Sequence, residues 1–263
     1  MIDIVQVMKR SLASLWQRKS LWIFGFFLQG ANGDGGGNGG PAPPIWVIVL
    51  IIAVVLGILI MHIISEGAVI EGVASSEPIG IREGFRRGRC HFGVMLRIKS
   101  LVLGGVLVAL GVLTAPAWLY FLDSLSKETA SLLGVLAVAI GVPVFTVAYL
   151  VYVLALRIAI LENCQALGAL QAARQFVRGR ILTGLKLIGA EAVSFLALVL
   201  AVIVVLAPIA LLAGATFLRF SGWPAAAVIG VVIALPALLA IVGAHGTYRS
   251  ALWTHGYLAA RSA

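Results

Sequence analysis

Charge is scarce in this chain. Only 11% of its 263 residues are Asp, Glu, Lys or Arg, against 61% hydrophobic residues. So little polar material could not cover a water-soluble core, which excludes a soluble globular domain and makes lipid the expected solvent. Acid is scarcer still, since 10 carboxylates against 19 bases leave a net charge of +9. In a soluble protein that excess would point to nucleic acid. Here the bases lie between apolar runs, so they read as loops facing anionic lipid, and no nucleic-acid partner is expected.

Cysteine is nearly absent. Cys90 and Cys164 are too few for a disulfide framework and lack metal-ligand spacing, so both read as reduced thiols. The histidines, His62, His91, His245 and His255, show neither H-x-x-x-H nor H-E-x-x-H spacing. G-x-S-x-G, a Walker loop and a strand-borne G-x-G-x-x-G are also missing. The expectation is a non-enzyme with no metal and no cofactor. No A-x-A-like cleavage site follows the first apolar stretch, so that stretch is expected to stay in the mature protein.

What the chain does have is long apolar runs, and mean hydropathy reaches +1.09. Ile45–Ile64, Leu101–Leu122, Leu132–Leu156, Ala192–Leu218 and Trp223–Ala244 each exceed the length needed to cross about 30 Å of hydrocarbon. Residues 21–28, LWIFGFFL, are short for a span and either begin it near Leu12 or dip in and return. Before them, Ile4, Val5, Met8, Leu12, Leu15 and Trp16 share one helical face, which fits a helix in the headgroup layer or the start of that span. The Gly-rich stretch 30–44 reads as an outer loop, with Asp34 too isolated to hold calcium.

Orientation follows from lysine and arginine. A six-span arrangement places 17 of the 19 basic residues on one side, and a five-span arrangement breaks that partition. Both termini are therefore expected to be cytoplasmic.

The bases concentrate in two connectors that resemble each other. Phe85-Arg86-Arg87-Gly88-Arg89 with Gly93 recurs 91 residues later as Phe176-Val177-Arg178-Gly179-Arg180 with Gly184. Ala68-Val69-Ile70-Glu71 recurs as Ala159-Ile160-Leu161-Glu162, and Pro116 and Pro143 align with Pro208 and Pro236. This spacing predicts an all-α integral membrane protein: a six-span helical bundle of three parallel hairpin repeats with cytoplasmic amphipathic helices. The chain is one membrane domain, 1–263, with repeat units near 1–71, 72–162 and 163–254.

The candidate sites follow. Arg87, Arg89, Arg178 and Arg180 form either a positive-inside anchor or a site for an anionic headgroup. Glu71 and Glu162 end apolar helices beside those arginines and read as ion pairs or as proton-coupling groups. Pro116, Pro143, Pro208 and Pro236 read as packing kinks or as hinges. Lipid handling or transport is the first functional expectation, and a scaffold whose basic face binds anionic lipid or a partner is the second. A homo-oligomer and a membrane-protein partner both stay open.

Ala159-Ile160-Leu161-Glu162, Ala166-Leu167, Ala169-Leu170, Arg178-Gly179-Arg180 and the closing Tyr248-Arg249 also carry a resemblance. The chain resembles the six-span membrane domain fused to some glycerophosphodiester phosphodiesterases, together with stand-alone bacterial relatives. The resemblance covers most of residues 45–255 and implies a bacterial inner-membrane protein. No hydrolase domain accompanies it, so it implies no phosphodiesterase activity.

Overall fold

The computed structural model describes residues 3–17, 45–75, 79–122, 125–220 and 230–262. Seven α-helices and no strand occur among them: α1 Ile4–Gln17, α2 Ile45–Ala74, α3 Ile81–Cys90, α4 Phe92–Phe121, α5 Lys127–Leu161, α6 Ala166–Phe220 and α7 Leu235–Arg261. Five of the seven, α2, α4, α5, α6 and α7, are long and apolar enough to cross a membrane. The protein is thus all-α and multi-pass in character. The short first crossing (21–28) and the glycine-rich loop (30–44) lie outside the described residues, as does the start of the last span at 223.

Helix ends follow local chemistry. Asp3 Oδ1 accepts from the backbone N–H groups of Val5 (3.0 Å) and Gln6 (3.3 Å), capping α1. Ser126 Oγ does the same for α5, accepting from the Thr129 N–H at 3.3 Å. α5 ends at Glu162, and Asn163 then turns the chain with φ of 51°, a left-handed conformation that asparagine tolerates.

The helices run further than the apolar stretches. α6 carries the second basic connector and the following span as one helix, with a break at Arg180 (φ −141°, ψ 39°). The first connector breaks more fully at His91, between α3 and α4. Both breaks fall in the repeated motif. Helices α4, α5 and α6 continue through Pro116, Pro143 and Pro208. Pro236 opens α7 directly after a π-helical turn at Gly230–Ala234. A wider turn relieves the clash and the lost donor that proline brings to a helix start.

The chain forms two compact units, residues 1–92 with 185–263 and residues 93–184. In the first, α3 packs on α2, and α7 packs on both α1 and α2. Ala68, Val69, Val73 and Ala251 make an apolar knot there. Gly84 and Gly88 are the buried residues of α3, four apart on one face. A Cβ at Gly88 would meet the Ile64 carbonyl oxygen at 2.1 Å, so only glycine permits this approach. In the second unit, Gly184 lies against the Leu150 side chain, where a Cβ would stand 2.9 Å from it.

Burial is uneven along the spans. It concentrates in residues 63–73 of α2, 153–160 of α5 and 245–257 of α7. The first half of α2 exposes Ile48, Val49, Leu50, Ile51 and Ile52, and α4 exposes Leu103, Leu107 and Val108. Such faces are suited to hydrocarbon and not to water.

Candidate functional site

The basic surface of the first unit is built on α3. Its arginines follow helical spacing: Arg82, Arg86 and Arg89 fall three and four residues apart and lie exposed, whereas Arg87 turns toward α2 and is half-buried. Arg87 Nε donates to Glu83 Oε1 at 2.7 Å, and its NH1 reaches Glu71 Oε1 at 3.1 Å. The second oxygen of Glu71 lies 3.5 Å from His91 Nε2. Arg86 also reaches Glu83, at 2.7 Å. Arg87 therefore links Glu71 at the end of α2 to Glu83 in the first turn of α3, with the His91 ring beside the same Glu71 carboxylate.

These contacts set the protonation of α3. Hydrogen bonds from Arg87 and then Arg86 hold the Glu83 carboxyl below its ordinary value. The hydrogen bond to Glu83 raises Arg87 first, desolvation opposes it, and Glu71 adds to the rise. Arg87 is therefore committed to holding α3 on α2. Arg82, Arg86 and Arg89 surround an open hollow of about 750 Å³ with Ile81, Phe85 and the paired Glu83 in its wall.

In the second unit, Arg178 is exposed and Arg180 is half-buried with its guanidinium 5.4 Å from the Phe176 ring centre, a cation–π distance. Glu162 caps α5 at an exposed position. The four arginines singled out by the repeat thus divide two and two between the units. Pro116 is half-buried, and Pro143, Pro208 and Pro236 are exposed on their helices.

A second polar node joins α6 to α7. Glu191 pairs with Arg249 Nε and accepts from Trp253 Nε1 at 2.8 Å, and its side chain is only 16% exposed. Ser194 Oγ donates to the Glu191 carbonyl at 2.7 Å and lies 3.4 Å from His245 Nε2. The Phe195 ring stands edge-on to the same imidazole, with centroids 6.4 Å apart.

Two features escape the reading by motif. The Arg82–Arg86–Arg89 face is available from its spacing, but the F-x-R-G-R repeat points to Arg87 and Arg89 and leaves out Arg82 and Arg86. The second is a charge at one register of three spans, buried in two of them. Glu66, Arg157 and Arg249 each precede an alanine by two residues, at Ala68, Ala159 and Ala251. Glu66 and Arg157 are 8% and 3% exposed. Arg157 NH1 donates to the Val153 carbonyl at 2.8 Å. Extending the Arg157–Arg249 alignment back by one repeat reaches Glu66.

No group of three or more His, Cys, Asp or Glu side chains able to hold a metal occurs among the described residues. No family model, curated protein or solved structure matches the chain.

Proposed function

We propose that the chain is a non-catalytic, six-span membrane protein that binds and handles an anionic lipid or amphiphile. Its setting in this reading is the bacterial cytoplasmic membrane, with both termini cytoplasmic and three parallel hairpin repeats, as in the membrane domains it resembles. One observation carries the proposal. Arg82, Arg86 and Arg89 ring a hollow walled by Ile81 and Phe85, where Glu83 offsets one of the three charges and is itself held by Arg86 and Arg87, so a net positive face remains on a helix that Arg87 fastens to α2. Guanidinium groups suit phosphate because they are planar, permanently charged and weakly hydrated. Near an anionic bilayer each contributes about 1 kcal/mol.

The repeats draw support from the paired breaks at His91 and Arg180 and from the buried stretches that close α2, α5 and α7. A scaffold reading draws on the close Gly88–Ile64 approach, which makes α3 a firm platform for a partner protein.

Native mass spectrometry from vesicles of phosphatidylglycerol and phosphatidylethanolamine separates these readings. Retention of phosphatidylglycerol, lost when Arg82, Arg86 and Arg89 become Gln, is the result expected. Unchanged retention would return the arginines to topology signals and leave the scaffold.

A further inference from the structure

A groove between α1, α6 and α7 shares no residue with the α3 surface. Its volume of about 760 Å³ falls within the range of about 300–1,000 Å³ typical of small-molecule sites. On α6 it follows Val193, Ala197 and Ala201, and on α7 Ala240, Ala244 and Tyr248. Four-residue steps put each set on one helix face, and eight residues rise about 12 Å, so the groove is roughly two turns long.

Its polarity changes along that length. Ser194, His245 and Tyr248 lie toward one end, while Ala201, Ala240 and Ile241 line the other. α1 lies along one edge. Val7 and Ser11 are buried, and Ser14 Oγ meets His255 Nε2 of α7 at 2.9 Å. Val5, Met8 and Leu12 face the groove from the same helix, with Lys9 among them. Lys9 is exposed, makes no ion pair among the described residues, and no carboxylate lines the groove. The small alanines leave the space, and the lysine sets the sign of its charge.

We propose that this groove binds a single-chain anionic amphiphile, its chain along Ala197, Ala201 and Ala240 and its head beside Lys9, His245 and Tyr248. A carboxylate there gains from the uncompensated cation, and the small alanines leave room for a chain to pack along α6 and α7. The site shares its ligand chemistry with the α3 reading but none of its residues, and each stands or falls separately.

The test is photolabelling of the purified protein with palmitate bearing a diazirine on its chain, beside the matching diazirine hexadecanol. Peptide mapping of the unaltered protein should find palmitate on α1, on residues 193–201 and on residues 240–248. Ala197→Trp should cut that labelling by about tenfold or more, the equivalent of about 1.4 kcal/mol. Lys9→Gln should reduce palmitate labelling by about threefold and leave hexadecanol unchanged. Arg86→Gln with Arg89→Gln should leave the labelling intact even if phosphatidylglycerol retention is lost. Labelling spread evenly over α2, α4 and α5 would identify ordinary bilayer lipid and overturn the proposal. Equal labelling by hexadecanol, or labelling indifferent to Lys9→Gln, would overturn its anionic selectivity. The map needs no variant, so it decides the matter even if Ala197→Trp does not fold.

Discussion

At the scale of single residues, glycine decides how closely α3 can approach α2. Gly88→Ala puts a methyl group against the Ile64 backbone, which must then move, and should cost about 1–3 kcal/mol. Gly179, its counterpart in the repeat, has open space where a methyl group would stand, with nothing within 4 Å. Gly179→Ala should therefore stay within about 0.5 kcal/mol of neutral. Equilibrium unfolding in mixed micelles compares the two. Ser65 Oγ is buried with no hydrogen-bond partner among the described residues. Ser65→Ala removes that stranded hydroxyl and should stabilise by about 1 kcal/mol in the same assay, because burying an unpaired polar group is costly. Glu83 makes α3 sensitive to acid. Its carboxyl is held below its ordinary value of 4.5, so its pairing stabilises the fold above that pH. The contribution disappears as pH falls through the lowered value. Hydrogen-exchange protection along α3, taken relative to the intrinsic rate at each pH, should therefore fall below pH 4.5, and Glu83→Gln should remove that fall.

At the scale of elements, α6 and α7 are joined by charge as much as by apolar contact. Glu191 serves Arg249 and Trp253 from a largely buried position, so loss of Arg249 removes a counter-charge from a carboxylate that is only 16% exposed. Arg249→Gln should cost about 1.5–3 kcal/mol, the range for hydrogen bonds to charged groups. A double-mutant cycle with Glu191→Gln should recover part of that loss, whereas strictly additive losses would show that the two side chains act independently. Proline acts differently from helix to helix. Pro116, Pro143 and Pro208 are absorbed within continuous helices, while the π-helical turn sits beside Pro236 and the one dihedral break in α6 sits at Arg180. The basic connector interrupts that helix, and the apolar proline does not.

At the scale of the whole molecule, topology is the property most open to a direct check. Six crossings put Asp3, Cys90, Cys164 and Ser262 on one side and Lys127 on the other. Single cysteines at these positions, labelled in sealed vesicles by a membrane-impermeant maleimide, should divide in that way. Asp3→Cys and Ser262→Cys reacting from opposite sides would leave five crossings and make residues 21–28 a re-entrant segment. The membrane class, the all-α fold and the five long helices could all be read from the chain. An apolar run of twenty residues has few structures open to it once water is excluded, and the backbone must bond within its own helix. Helix boundaries were less legible, because α4 and α6 begin inside basic connectors whose polarity masks the helix that packs beneath them.

The sequence by itself determined what lies in lipid and where the bases gather, since both depend on transfer of each residue between water and hydrocarbon. Only tertiary structure decided which arginines are used up in holding the fold. Arg87 and Arg89 are near neighbours in one motif, yet Arg87 turns to Glu71 and Glu83 while Arg89 stays free to face the hollow. The difference is one of helix phase against a packed neighbour, which local composition does not encode. The groove beside α1 has the same origin. Its alanines are unremarkable in sequence and become a channel only where α6, α7 and the N-terminal helix meet without filling the space between them.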